Sequence, residues 1–374
     1  MTPKKNNILI IAGGPSRYVT VSKHINKLIR IFTSLSQKVY LLSAFDEKLI
    51  DLKNTELYQF QTSENRYIQF SIGQIRELSL MYTIFKTKKI DIVFFAFGHD
   101  HDLIPILFSK LMGKKIILRS DGRPSVVIEK YHKNQSALKK CLFRIIEYIN
   151  YRSVDLLVSE CNFMLKENNQ DQLPNCGFAN LPVDLKFFIR KTPFENRKYD
   201  LGYIGSLEER KGIVNFIKAI AGIIKNNQNL VVFIGGKGEQ KEAINQIILE
   251  NNLEKNIRII EWISDEAFPD CLNSFKVFVL PSSREGLPNT ILEAMACGTI
   301  VLSTPVGGVP GVVIDGKTGF IMKNNSVPCI TENIVRALNH PDLAMIADNA
   351  YNLIEHEYSF NSTLQRYREI LENI

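Results

Sequence analysis

Residues 284–298 read REGLPNTILEAMACG and set two carboxylates, Glu285 and Glu293, on either side of a helix start. The apolar run 275–280 before them ends at Pro281, a short polar loop follows, and Pro288 is expected at the first helical position, where its missing N–H costs nothing. Gly298, after Cys297, is expected to close the helix in the left-handed conformation. Glu285 then lies in the loop at the positive end of the helix, where electrostatics alone favours a carboxylate. Glu293 falls in the second turn between Leu292 and Ala294, apolar surroundings in which a charge needs a partner. The pair does not have the spacing of a glycosidase acid and nucleophile. A helical step from one to the other spans about 12 Å, against about 5 Å in retaining and about 6.5–9.5 Å in inverting hydrolases. Two carboxylates so placed suit gripping separate parts of one extended ligand.

Residues 205–212, Gly-Ser-Leu-Glu-Glu-Arg-Lys-Gly, follow a strand-like run and open the helical pattern Ile213, Phe216, Ile217, Ile220, Ile224. Arg210 and Lys211 at a helix N-terminus oppose the macrodipole. A bound anion, most naturally a diphosphate, would resolve that conflict, as would neutralisation by Glu208 and Glu209. Gly13-Gly14-Pro15 and Gly235-Gly236-Lys237-Gly238 permit close backbone approach or serve as tight turns. Neither has the G-x-G-x-x-G spacing, which disfavours a nicotinamide enzyme. Residues 98–102, Gly-His-Asp-His-Asp, invite a metal reading, but loop acids of this kind more often supply an N-cap and first-turn charges. No further ligands lie at useful spacing, so no metal is expected. At the next strand end, residues 119–123 read Arg-Ser-Asp-Gly-Arg, and Asp121 stands where strand ends carry chemistry, an Asp-Gly turn being the structural alternative. His99, Arg119 and Asp121 are the candidate residues of the first half.

These residues need a frame of alternating strands and helices. Runs rich in Ile, Val and Phe recur at 8–12, 39–43, 92–97, 116–119 and 156–159, then at 201–205, 231–235, 277–280 and 300–303, with helical patterns between. The expected class is α/β, with two doubly wound parallel-sheet domains whose ligands bind at the carboxyl ends of the strands. The charged segment 186–199, with Pro193, reads as the linker. In residues 137–152, Leu138, Cys141, Leu142, Ile145, Ile146 and Ile149 recur at helical spacing, with Lys139, Lys140 and Arg144 elsewhere on the wheel. That pattern is either a helix with a buried apolar face and a wet basic back, or one that docks on a membrane surface.

A chain of 374 residues exceeds one ordinary core, so two domains are expected. No apolar run approaches the roughly 18 residues that span a bilayer, and the N-terminus has no signal-peptide pattern, so a cytoplasmic protein is expected. The six cysteines show no CxxC pairing, which disfavours a disulfide framework or a zinc site. Of the net charge of +7, residues 1–190 contribute +11 and residues 191–374 contribute −4. The basic half points to an anionic partner. Aromatic-interleaved basic patches are absent, so nucleic acid is not expected.

The chain resembles the retaining GT-B glycosyltransferases of glycosyltransferase family 4. The likeness covers most of residues 200–325 and rests on Glu285 and Glu293 as an E-x7-E motif and on Pro281-Ser282-Ser283-Arg284-Glu285-Gly286. It rests also on Glu293-Ala294-Met295-Ala296-Cys297-Gly298, Gly307-Gly308-Val309-Pro310 and Lys211-Gly212. The first half matches more loosely, through Gly13-Gly14 and Leu181-Pro182-Val183-Asp184. The resemblance implies two Rossmann-like domains facing a cleft. An acceptor domain spans 1–190 and a nucleotide-sugar domain 191–355, and a C-terminal helix in 356–374 crosses back to the first domain. It implies that Glu285, with amides near Gly286 and Leu287, holds the donor sugar and Glu293 the ribose. Lys211, with Arg210, would neutralise the diphosphate, aided by the amides of Asn289 and Thr290; Gly13, Gly14 and Ser206 complete the donor side, and Asp121 serves at the reacting centre. It implies transfer with retained anomeric configuration from a nucleotide-diphosphate sugar, UDP favoured over GDP, without metal or other cofactor. The implied acceptor is lipid-linked or polysaccharide, and the implied place is the inner face of an anionic membrane. Three positions depart from the family pattern: Ser206 where Arg is common, Gly311 where Glu is common, and Ser120-Asp121 where a His is common. A nucleotide-sugar epimerase of the same fold and a two-lobed sugar-binding protein are the alternatives.

Overall fold

A computed structural model describes residues 6–12, 19–44, 50–51, 54–60, 66–97, 99–100, 102–120, 123, 125–126, 136–225 and 228–374. They form two bodies, Met1–Leu181 with Thr363–Ile374, and Pro182–Ser362.

The first body is built on β1 (Asn7–Ala12), β2 (Lys38–Ser43), β3 (Thr55–Gln59), β4 (Ile92–Phe95), β5 (Lys115–Ser120), β6 (Leu156–Ser159) and β7 (Cys176–Phe178). Their spatial order is β3-β2-β1-β4-β5-β6-β7, and every pairing is parallel. The helices between them are α1 (Val19–Leu35), α2 (Arg66–Thr87), α3 (Leu103–Leu111), α4 (Ala137–Ser153) and α5 (Asn162–Glu167). The second body carries β8 (Tyr199–Ile204), β9 (Val232–Gly235), β10 (Ile257–Ile260), β11 (Phe275–Leu280), β12 (Ile300–Ser303) and β13 (Phe320–Ile321), in the order β10-β9-β8-β11-β12-β13. These pairings are parallel too. Its helices are α6 (Ile213–Ile224), α7 (Lys241–Glu250), α8 (Phe268–Asn273), α9 (Asn289–Ala296), α10 (Val327–Leu338) and α11 (Leu343–Tyr358), and α12 (Phe360–Glu372) follows. Among the described residues no helix is long and apolar enough to cross a membrane.

Central strands such as β4, and β11 apart from Lys276, read as apolar runs because helices cover both faces of the sheet. In each body the chain starts in the middle, winds to one edge and then returns to the other side of the starting strand. The order therefore reverses between β1 and β4, and between β8 and β11. Such reversals leave a crevice beyond the carboxyl ends of the strands, where open α/β sheets hold ligands.

Residues 186–199 are not a loose linker. Asn273 donates to the Ile189 carbonyl and accepts from the Lys191 N–H, both within 2.9 Å, and Phe188 packs edge-on to Phe268. The segment is thus part of the second body, which begins at Pro182, ahead of the expected change at residue 190. From Thr363 on, α12 belongs to the first body, where Tyr367 is fully buried against Phe32 and Phe94.

Helix α4 is the other departure. Its buried residues are Glu147, Asn150 and Tyr151, while Leu138, Leu142, Ile145 and Tyr148 are exposed. The expected buried apolar face is turned outward because the polar side has partners inside. Glu147 accepts from Arg123 Nε at 2.5 Å and from the Ser125 N–H at 3.1 Å. Asn150 donates to the Asp100 carbonyl, and the Tyr151 hydroxyl to the Asp100 carboxyl at 3.0 Å.

In the second body, Arg197 holds the far end of α9. Its guanidinium donates to the carbonyls of Phe275 at 2.6 Å and Cys297 at 2.8 Å and to Thr299 Oγ1 at 2.5 Å. Burial lowers its pKa to about 10, and the negative end of α9 supplies compensating charge. Arg197→Met should destabilise the chain by about 3 kcal/mol, the cost of leaving several buried acceptors unpaired. Arg197→Lys should recover only part, because an ammonium cannot reproduce the planar fork. A urea midpoint equal to wild type in Arg197→Met would contradict this role.

Candidate functional site

The site grows from the loops that leave the carboxyl ends of β9, β8, β11 and β12, four consecutive strands of the second sheet. After β8, residues 205–208 lead into a 3₁₀ turn, Glu209–Lys211, and then Gly212 at φ 71° before α6 begins. Arg210 and Lys211 therefore precede the helix instead of occupying its first turn. The left-handed Gly212 is required there: a Cβ on it would lie 2.2 Å from the Pro281 carbonyl oxygen of the loop after β11. The same two loops are joined by the Ser283 N–H, which donates to the Arg210 carbonyl at 2.8 Å.

This junction brings Lys211 Nζ to 2.5 Å from Glu285 Oε1, with the two side chains only 15% and 10% exposed. The loop after β12 seals the other side. Gly307, at φ 53°, lies so close that a Cβ would meet the carbonyl oxygens of Gly286 and Glu285 at 2.2 and 2.3 Å. Gly308 N–H donates to the Gly286 carbonyl at 2.9 Å, and Thr304 Oγ1 to that of Ser282 at 2.5 Å. The glycine-rich loop after β9 backs the β8 loop, with Leu207 N–H bonded to the Lys237 carbonyl at 2.9 Å. Tyr203, in β8, donates its hydroxyl to the Ser206 carbonyl at 2.7 Å. Burial, and then the charge of Glu285, raise its pKa, so it stays a neutral donor.

Helix α9 starts at Asn289, and Pro288 is its N-cap, one position earlier than expected. Pro288 makes no side-chain cap hydrogen bond. The other end is closed as expected. Gly298 takes φ 67°, its N–H reaches the Met295 carbonyl, and the Thr299 N–H reaches that of Ala294, a Schellman motif. Glu293 lies in the second turn and is half-buried. Arg210 is exposed and paired with Glu208 at 2.7 Å, so the acid offered by the sequence answers this cation in the ligand-free chain. Ser206, Gly286, Asn289 and Thr290 are half-buried and Leu287 is buried, all on the loops that converge here.

In the first body, His99 follows β4 and is buried. Its Nδ1 lies 2.7 Å from Asp102 Oδ2, and its ring meets Phe95 edge-on. Burial alone would lower the imidazole pKa, but the hydrogen bond and charge of Asp102 outweigh it and raise the value. Asp102 occupies the N-cap of α3, yet it serves His99 and makes no side-chain cap bond. Asp100 is buried beside it, its pKa pushed up to about 7 by burial. Arg119 is fully buried, paired with Glu160 at 2.5 Å and stacked 4.9 Å from the Phe97 ring centre. Two of the three acceptor-side candidates, His99 and Arg119, are thus inside the body, where they hold loops. Gly13, Gly14 and Asp121 lie outside the described residues. Among the described residues, no group of three or more His, Cys, Asp or Glu comes together as a metal site. Tyr203, Thr304 and Arg197 were not legible as site residues, since a tyrosine in a strand or an arginine before one has no distinguishing spacing.

Residues 185–353 match the family model described as Glycosyl transferases group 1. The chain is 25% identical over 344 residues to an uncharacterized glycosyltransferase of Methanocaldococcus jannaschii, covering 86% of this chain and 85% of that one. It is 27% identical over 326 residues to UDP-Gal:alpha-D-GlcNAc-diphosphoundecaprenol alpha-1,3-galactosyltransferase of Escherichia coli, 80% of this chain and 79% of that one. The match to the capsular polysaccharide biosynthesis glycosyltransferase CapM of Staphylococcus aureus is 30% identical over 168 residues, but covers only 44% of this chain and 43% of that one. Among solved structures, HepE of Anabaena in complex with UDP and glucose superposes with a TM-score of 0.75 at 14% identity, covering 99% of this chain and 100% of that one. The chain has two parallel-sheet α/β domains of the GT-B fold, and its residues 185–353 are similar to Glycosyl transferases group 1 domains.

Proposed function

We propose that the protein is a glycosyltransferase that moves a sugar from a nucleotide-diphosphate sugar to a hydroxyl of a lipid-linked or polysaccharide acceptor, with retained anomeric configuration. The observation that carries this reading is the Lys211–Glu285 pair at the switch point between β8 and β11, a cation and a carboxylate 2.5 Å apart and largely buried. A diphosphate offers Lys211 a doubly charged partner. Its arrival frees Glu285 to accept hydrogen bonds from the hydroxyls of the sugar. Arg210 leaves Glu208 to join it, and the first amides of α9, from Asn289 and Thr290, add donors at the positive helix end. Glu293 accepts from the ribose, and the backbone near Gly286, Leu287 and Ser206 lines the donor. Gly13 and Gly14 are assigned to the donor by the family resemblance alone.

In the transfer step the acceptor oxygen bonds to the anomeric carbon on the face from which the phosphate leaves. The bond from that carbon to the phosphate oxygen breaks, and the acceptor proton passes to the departing phosphate. The protein's work is positioning and charge stabilisation, so Lys211 and the α9 start replace a metal ion. Asp121 serves near the reacting hydroxyls, while His99 and Arg119 position the acceptor-side loops. UDP is the favoured carrier, as the name of the E. coli relative and the ligand of HepE suggest. The E. coli relative also names a diphosphoundecaprenol-linked acceptor. A lipid-linked acceptor places the reaction at the cytoplasmic face of an anionic membrane.

A thermal-shift panel of UDP-, GDP- and ADP-sugars should show stabilisation by one nucleotide class, UDP-sugars first. No response to any of them would remove the donor assignment. Glu285→Ala and Lys211→Ala should each lower transfer at least about 100-fold, with Glu285→Gln, which keeps the side chain's shape, close behind. Wild-type rates in any of the three would overturn the site. Proton NMR of the first product formed should show the donor's anomeric configuration; inversion would refute the mechanism, and product formed without acceptor would favour an epimerase.

A further inference from the structure

Helix α4 presents its apolar stripe to solvent. Leu138 is 80% exposed, Leu142 53%, Ile145 51% and Tyr148 60%, and their spacing puts them along one side of the helix. The opposite side carries Glu147, Asn150 and Tyr151, locked inward by Arg123 and by the Asp100 carbonyl and carboxyl. The outward turn of the stripe is therefore fixed by buried hydrogen bonds. The neighbouring helix continues the surface: Lys110 Nζ of α3 donates to the Ser153 carbonyl at the end of α4, and the adjacent Leu111 is 86% exposed. Contiguous apolar surface of this kind marks a contact site.

Its charge says with what. Lys139 and Arg144 are exposed on either flank of the stripe, and Arg152 lies 4.7 Å from the centre of the Tyr148 ring. The one carboxylate of α4, Glu147, is buried and neutralised by Arg123. A second copy of the chain set against this face would confront cations with cations. An anionic lipid surface accepts both halves of the pattern, with headgroups on the lysine and arginine side chains and acyl chains against the leucines. We infer that α4 is an in-plane membrane helix that seats the chain on anionic lipid through Leu138, Leu142, Ile145 and Tyr148, with Lys139, Arg144 and Arg152 at the headgroups. This attachment goes beyond the transfer chemistry, since it depends on neither the donor nor the acceptor.

The test is flotation of the full chain with phosphatidylcholine vesicles, with and without phosphatidylglycerol. Binding should require phosphatidylglycerol and weaken with salt. Leu142→Glu with Ile145→Glu should abolish it, and Lys139→Ala/Arg144→Ala/Arg152→Ala should weaken it by about 100-fold. All these side chains lie on the outer part of the helix, and an unchanged thermal shift with nucleotide sugar shows that the second domain stays folded. Even if the donor assignment fails, an unchanged melting temperature serves the same purpose. Wild-type vesicle binding by either variant, or equal binding to neutral vesicles, would overturn the proposal. So would a wild-type dimer that Ile145→Glu converts to a monomer, which would assign the face to a second copy.

Discussion

The ion pair between Lys211 and Glu285 is assembled by backbone contacts that leave each side chain little freedom. Gly212 lets the loop after β8 touch the carbonyl of Pro281, and the Ser283 amide ties the loop after β11 back to Arg210. Gly307 presses the loop after β12 against Glu285 from the other side. Both charges are largely withdrawn from water, so each depends on the other, and removing either leaves a charge that water only partly solvates. In the proposed reading, a diphosphate takes over Lys211 and a sugar takes over Glu285 when the pair separates, and the ligand's own charge and hydroxyls return the energy lost.

The rest of the second body serves that geometry. The parallel sheet puts all four loops at one end, and its reversal between β8 and β11 leaves the crevice beyond the strand ends where Lys211 and Glu285 meet. Helix α9 fixes Glu293 relative to Glu285. Its start lacks a capping side chain, while its end is pinned by a Schellman motif and by Arg197. The asymmetry fits an element whose N-terminus is kept for a ligand and whose C-terminus is kept for the fold.

Much of this was legible in the sequence because the central strands are covered on both faces and so read as apolar runs. The four strands not anticipated, β3, β7, β10 and β13, are the edges of the two sheets. The sequence of β3, TELYQ, shows why: it is half-exposed, and its polar residues hide the pattern. Glu285, Glu293 and Lys211 stood out because charge beside Gly and Pro at a strand end is not what packing alone selects. Arg197 did not, since its importance lies in carbonyls contributed by distant segments, and Tyr203 did not, since its partner is the Ser206 carbonyl of the irregular loop after its own strand. The spacing in α4 correctly gave an amphipathic helix but not which side faces inward. That was decided by Glu147, Asn150 and Tyr151, whose partners on the loops after β4 and β5 could not be seen in one helix's periodicity.

The most direct measurement of the exchange between the pair and its ligand is calorimetric binding of UDP and of a UDP-sugar to wild type, Lys211→Met and Glu285→Gln. Lys211→Met should lose affinity for both ligands. Glu285→Gln should bind UDP at least as well as wild type, because Lys211 no longer has an internal partner to leave, while losing the extra affinity contributed by the sugar. Wild-type affinities for both ligands in both variants would contradict the account, as would equal losses for UDP in the two.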